Sequence, residues 1–172
     1  NDEAESMLSK LADFLRVTLV ADPEAMISLD DEMATLQAYL EIESVRFRER
    51  LALEFVCPDD LRTALIPSFL LQPLIENAIK HGVAPTSQTV TIRLEVDREA
   101  EDLVILVQDD GEGGAGEVRP GAGVGLRNIQ LRLETLYGPR GILQATPLAR
   151  GFRATIRLPL QWPPAKPLSK AA

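Results

Sequence analysis

The stretch Leu70–Gly82, LLQPLIENAIKHG, restricts what this chain can fold into more than any other. On a helix, at about 100° per residue, Leu70, Leu71, Leu74, Ile75, Ala78 and Ile79 fill one half-circle. Gln72, Glu76, Asn77, Lys80 and His81 fill the other. The apolar half is built for a core. The polar half gathers a carboxylate, an amide, an ammonium and an imidazole within about three turns. Solvent asks for charge there but not for this assortment, so the polar half is expected to look into a site.

The chain around it reads as helices followed by a sheet. Met7, Leu8, Leu11, Phe14 and Leu15 recur at helical spacing, predicting an amphipathic helix over 4–20 that ends near Asp22-Pro23. A second helix should begin at Ser28, where Ser28 and Asp31 offer a capping box. Met33, Leu36, Tyr39, Leu40 and Val45 form its expected buried stripe, and Arg46, Arg48 and Arg50 crowd its C-terminal end. Leu51–Val56 is an expected short strand, closed by the turn Cys57-Pro58-Asp59-Asp60.

The central helix should start around Pro67-Ser68, with Pro73 either kinking it or marking its true first turn. Residues 89–96 alternate Val90, Ile92, Leu94 and Val96 with polar partners, which predicts a strand with one buried face. Leu103–Val107 is the next strand, joined to it as a hairpin through residues 97–102. A helix over 126–137 turns Ile129, Leu133 and Leu136 inward and stops at Gly138-Pro139; strands over 141–145 and 152–158 close the pattern. The expected fold is a two-layer α/β (α+β) sandwich: a mixed, mostly antiparallel sheet of about five strands with helices on one face, preceded by a helical pair. Its parts are a helical segment 1–50, an α/β domain 51–160 and a disordered, Pro-rich tail 161–172.

At 172 residues, 45% hydrophobic and 26% charged, the chain has the composition of a globular protein and length for one well-cored domain. A net charge of -8 argues against general nucleic-acid binding. No apolar run is long enough to span a bilayer, so no membrane contact is expected of this stretch. The single Cys57 excludes an internal disulfide, fits a reducing, cytoplasmic compartment and reads as a structural thiol. A chain that opens on Asn1 reads as a piece of something longer.

Three patches carry chemistry. On the polar face, Asn77 and His81 lie one turn apart, as do Glu76 and Lys80, so each pair can converge on one ligand. Alone, the face is accounted for by a surface ion pair between Glu76 and Lys80 and a helix-end cation at His81. The second patch is Asp109-x-Gly111-x-Gly113 at a strand end, where a carboxylate can accept from an amino group and glycines let a ligand approach the backbone. An ordinary turn has the same residues. The third, Gly121-x-Gly123-x-Gly125, precedes a helix and offers N–H groups to a phosphate. It is neither a Walker loop nor the dinucleotide fingerprint.

In this order and spacing the three patches resemble the N, G1 and G2 boxes of the ATPase fold shared by gyrase, the heat-shock chaperones and bacterial histidine kinases. Residues 27–51 (ISLDDEMATLQAYLEIESVRFRERL), IPSFLLQPLIENAIKHG and GVGLRNIQLRL resemble more narrowly the LytS-type sensor histidine kinases, over about residues 8–160. The resemblance implies ATP and Mg²⁺ as cofactors. It makes Asn77 the magnesium ligand, Lys80 a phosphate contact and His81 a wall of the nucleotide site. Asp109 would read the adenine amino group in a pocket shaped by Gly111 and Gly113. Gly121, Gly123 and Gly125, with Leu126, would belong to a mobile lid, and Arg127 or Arg132 would reach the phosphates.

The phosphoacceptor histidine of such kinases would lie upstream, since His81 is the only histidine and belongs to the nucleotide box. Implied partners are that histidine helix, a response regulator and a second copy in a homodimeric parent, with any membrane anchor upstream. Where hydrolytic relatives carry a carboxylate one turn before the magnesium asparagine, this chain has Pro73, and the adjacent Glu76 points elsewhere. Hydrolysis is therefore disfavoured. The alternative of another class is an interaction or dimerisation module with a vestigial nucleotide site.

Overall fold

The computed structural model describes residues 24–112 and 122–164, together with Ser9, Ala12 and Asp22. It begins with β1 (Met26–Ser28), α1 (Leu29–Phe47), β2 (Leu51–Val56), β3 (Leu65–Pro67) and α2 (Gln72–Ala78), which continues as a π-helical turn over Ile79–Val83. β4 (Val90–Glu99), β5 (Asp102–Asp109), α3 (Ala122–Tyr137), β6 (Ile142–Pro147) and β7 (Phe152–Pro159) follow. Among the described residues no helix is long and apolar enough to cross a membrane. The first predicted helix, apart from Ser9 and Ala12, and tail residues 165–172 lie outside the described residues.

Five strands form one sheet in the order β2-β4-β5-β7-β6, with β2 parallel to β4 and the other pairs antiparallel. The period of two decides which face is covered. Val90, Ile92, Leu94 and Val96 of β4, Leu103, Ile105 and Val107 of β5, and Ala154, Ile156 and Leu158 of β7 are all buried. They share one core with Leu71, Leu74, Ile75 and Ile79 of the α2 region and Ile129 and Leu133 of α3. The opposite face carries exposed ion pairs such as Arg93 with Glu95 (2.9 Å) and Glu54 (3.5 Å), each worth about 0–1 kcal/mol. The arrangement is the expected two-layer sandwich. A small antiparallel ribbon, β1 with β3, is additional to it.

Local signals placed several boundaries. Ser28 caps α1, its hydroxyl accepting the Asp31 N–H at 3.1 Å and donating to the Asp31 carboxylate at 2.7 Å. Gly138, at φ +57°, ends α3 as expected. Other boundaries need correction. Residues 65–67, expected near the start of the central helix, are the strand β3, and α2 begins only at Gln72 with Pro73 in its first turn. The Pro73 alternative is thereby resolved: a first turn has no N–H bond for proline to break. The hairpin bend is tighter than residues 97–102, because the ladder runs to Glu99–Asp102 and Ala100 takes φ 54°.

α3 starts at Ala122, four residues before the expected position, and Leu136 is 48% exposed rather than inward. On α1 the fully covered stripe is Leu29, Glu32, Leu36 and Leu40, while Met33, Tyr39 and Val45 are half-buried. The first residue of the expected tail, Gln161, is tied down: its carbonyl accepts the Leu65 N–H at 2.8 Å. Cys57 is a free, half-buried thiol whose pKa is raised chiefly by burial, as suits a structural role.

Candidate functional site

The site is built on α2, and α2 is held at its start from two sides. The turn before it, residues 68–71, finds its hydrogen-bond partners far away in sequence. Glu32 of α1, 2% exposed, accepts the N–H groups of Phe69 and Leu71, each at 2.9 Å. Burial raises the Glu32 pKa, with those N–H groups, that of Gln72 and the charge of Arg132 opposing. Phe69 itself sits at φ 55°, a conformation unfavourable for a side chain with a β-carbon. From the other side Arg132 of α3 donates to the Ser68 carbonyl at 2.6 Å.

Beyond this turn the apolar half of α2 enters the core and the polar half borders a cleft of about 150 Å³. Pro73, Glu76, Asn77, Lys80 and His81 form one wall; Gly125 and Leu126 of α3 form the other. The fold thus brings the first and third sequence patches together. Glu76 does not form the surface ion pair with Lys80 that would account for the face without a ligand. Its Oε1 accepts the Gln72 side-chain N–H at 2.8 Å, leaving Lys80 exposed in the cleft wall.

The second patch lies where the π-helical turn meets β5. Asp109 is 1% exposed, at the end of β5 between Ile92 of β4 and Phe152 of β7, and its Oδ1 accepts the Gly111 N–H at 3.1 Å. Gly82 and Gly151 press on it, and Gly111 presses on Gly82. A β-carbon at Gly82 would stand 2.7 Å from Asp109 Oδ1, and one at Gly111 would stand 2.7 Å from the Gly82 backbone. One at Gly151, which has φ +78°, would stand 1.7 Å from the Asp109 carbonyl oxygen. The carboxylate is therefore fixed by backbone packed closer than any side chain allows.

Of the residues singled out in the sequence, Asn77, Lys80, His81, Gly125, Leu126 and Glu76 line one cleft. Asp109 and Gly111 pack against Gly82, the residue that follows His81 of the cleft wall. Gly123 falls in the first turns of α3 rather than in a loop before it. Arg127 is exposed on α3, and Arg132 holds the Ser68 carbonyl. Gly113 and Gly121 lie outside the described residues. Sequence reasoning missed Gly82, Gly151 and Glu32. For Gly82 a signal existed, since a glycine directly after the polar face invites close approach; for Glu32 an acid on the apolar stripe of α1 was the only local hint.

The pattern described as "Histidine kinase-, DNA gyrase B-, and HSP90-like ATPase" matches residues 66–161, which hold both α2 and Asp109. The chain belongs to that ATPase family. A second pattern, described as "Histidine kinase", matches residues 1–51. The chain is 32% identical to the sensor histidine kinase BtsS of Escherichia coli K12 over 163 residues, which cover 92% of this chain and 28% of BtsS. It is also 32% identical to the sensor histidine kinase/phosphatase LytS of Staphylococcus aureus over 173 residues, covering 94% of this chain and 30% of LytS. It thus spans less than a third of the curated relatives it matches. Among solved structures, the histidine kinase domain of the blue-light activated kinase of Erythrobacter litoralis EL346 is similar at TM-score 0.58 and 19% identity, covering 90% of this chain and 75% of that one. The catalytic domain of histidine kinase ThkA is similar at TM-score 0.59 and 14% identity, covering 81% and 98%. Both show the shared fold.

Proposed function

We propose that this chain is the ATP-binding catalytic part of a two-component sensor histidine kinase. It would hold Mg·ATP so that the γ-phosphoryl group passes to a histidine in another part of the parent protein. The observation that carries this reading is the cleft that joins Asn77, Lys80 and His81 to the N-terminal turns of α3. Phosphoryl transfer asks little covalent chemistry of a protein. Positioning and charge neutralisation do the work, and this cleft offers a cation, an amide and the positive end of a helix.

The donor set fits magnesium. Mg²⁺ keeps several waters and takes one or two protein oxygens with the substrate phosphates. Among the described residues no cluster of three or more His, Cys, Asp and Glu side chains could hold a metal alone. A single amide oxygen from Asn77, beside space for phosphates, is what a nucleotide-borne ion needs. Bound there, the metal supplies charge neutralisation across the phosphates. Lys80 would contact the same phosphates, and His81 would close the wall. Asp109 would accept the adenine amino group on its buried carboxylate, and a base lacking that donor would be disfavoured there.

Pro73, in the first turn of α2, leaves no carboxylate one turn before Asn77 to activate water. Transfer to an acceptor is accordingly favoured over hydrolysis. In the parent we infer the phosphoacceptor helix, a response regulator and a second copy of the kinase as partners, with this part in the cytoplasm.

The test is thermal unfolding with and without Mg·ATP. At about 100-fold over Kd, nucleotide should add roughly 2.7 kcal/mol, and Asp109→Asn should weaken affinity by about 100-fold. No shift at millimolar Mg·ATP overturns the reading. With a histidine-bearing helix supplied in trans and γ-labelled ATP, acid-labile phosphate is expected on the helix. Binding without transfer would instead support an interaction module with a vestigial site.

A further inference from the structure

The histidine kinase pattern ends at residue 51 and the ATPase pattern begins at residue 66. α1 lies in the first and α2 and α3 in the second, so a contact between them joins the part shared with kinases to the part that would hold nucleotide. They meet in polar contact at the turn of residues 68–71, where the Glu32–Leu71 bond is buried. Glu32 of α1 takes two N–H groups of that turn, and Arg132 of α3 takes its Ser68 carbonyl. The turn leads directly into α2, whose next residues include Pro73, Glu76 and Asn77 of the cleft wall. α3 supplies the opposite wall through Gly125 and Leu126, about two turns before Arg132. A buried carboxylate with two N–H donors has few alternative arrangements, because leaving either donor unpaired inside the protein is costly.

We propose that Glu32 is a positioning residue for the nucleotide cleft: with Arg132 it clamps the turn before α2 between α1 and α3, so that displacement of α1 changes the affinity for Mg·ATP. The role rests on the nucleotide-binding reading given above, and it acts through Asn77 and Lys80, not by contact with the ligand. Because linkage is reciprocal, nucleotide in the cleft must also steady the turn. Phe69, held at φ 55°, is the element poised to relax when the clamp is released.

The test uses the whole 172-residue chain. Mg·ATP affinity by titration and amide exchange at Phe69 and Leu71 are measured for wild type, Glu32→Gln and Arg132→Met, well below each melting temperature. Glu32→Gln keeps the side-chain shape and one carbonyl acceptor, so the fold should survive even where Glu32→Ala does not. The expected result is a Kd raised about fivefold or more in Glu32→Gln, with exchange at the two amides slowed by nucleotide in wild type but insensitive to it in the variant. Arg132→Met should raise Kd in the same direction, and the double variant should fall short of the product of the single effects, because both side chains act on one turn. A lower melting temperature with unchanged Kd would make Glu32 merely structural and overturn the proposal. Wild type that binds no Mg·ATP would overturn the function itself, an outcome readable apart from any difference between wild type and variant.

Discussion

Glycine surrounds Asp109 and also lines the cleft, for opposite reasons. Around Asp109, Gly82, Gly111 and Gly151 leave no room for a β-carbon, the nearest atoms standing 1.7–2.7 Å from where it would be. In the cleft wall Gly125 has nothing within 4 Å of that point. The first group lets backbone pack against a carboxylate. The second leaves open the space that a ligand would take. The surroundings of Asp109 are thus built by exclusion of side chains in the free protein, whereas the open space at Gly125 acquires a role only with something bound.

The largest effect should come from Gly151→Ala. Its φ of +78° is strained for any residue with a β-carbon, and that carbon would overlap the Asp109 carbonyl oxygen. A loss of at least about 3 kcal/mol is expected, read by denaturant unfolding. A loss below about 1 kcal/mol would show that the β6–β7 turn yields easily, and the view of the surroundings of Asp109 as rigid would go with it.

Gly82→Ala sharpens the same point because the atom it meets belongs to a side chain. A β-carbon there would stand 2.7 Å from Asp109 Oδ1 and 2.8 Å from its Cγ, so the whole side chain must shift, at a cost of about 1–3 kcal/mol. The folded variant should then bind Mg·ATP about tenfold or more weakly, since the acceptor proposed for adenine would have moved. Unchanged affinity in a folded Gly82→Ala chain would remove Asp109 from the nucleotide site.

This asymmetry also explains what could be read from the sequence. Val90, Ile92, Leu94 and Val96 announced a strand because burial on one face imposes period two locally. Ser28 and Asp31 announced a helix start for a similar reason, since a capping box lies within one turn. The start of α2 was not legible, because the N–H groups of the turn before it, at Phe69 and Leu71, are held by a residue 37 and 39 positions away in sequence. No local pattern reports such a partner, and IPSFLLQPL reads as helix until Glu32 is seen to hold it. At the site, Asp109 was visible as an acid at a strand end beside glycines. Gly151 was not, because it meets Asp109 only through the pairing of β5 with β7.

The smallest change in stability should come from Gly125→Ala, and its sign matters more than its size. Gly125 lies within α3, where alanine is favoured over glycine by about 0.5–1 kcal/mol, and open space around it means no contact is lost. The free protein should therefore become slightly more stable, the reverse of Gly151→Ala and Gly82→Ala. Gly125 itself lines the wall opposite Asn77 and Lys80, so a methyl group added there should take up volume proposed for the phosphates. Mg·ATP affinity should fall severalfold while the melting temperature of the free chain rises by a degree or more, both measurable in one thermal titration. A variant that is stabilised and binds Mg·ATP as tightly as wild type would show that ligand never reaches this wall. The distinction between glycines kept for packing and a glycine kept for a ligand would then collapse to packing alone.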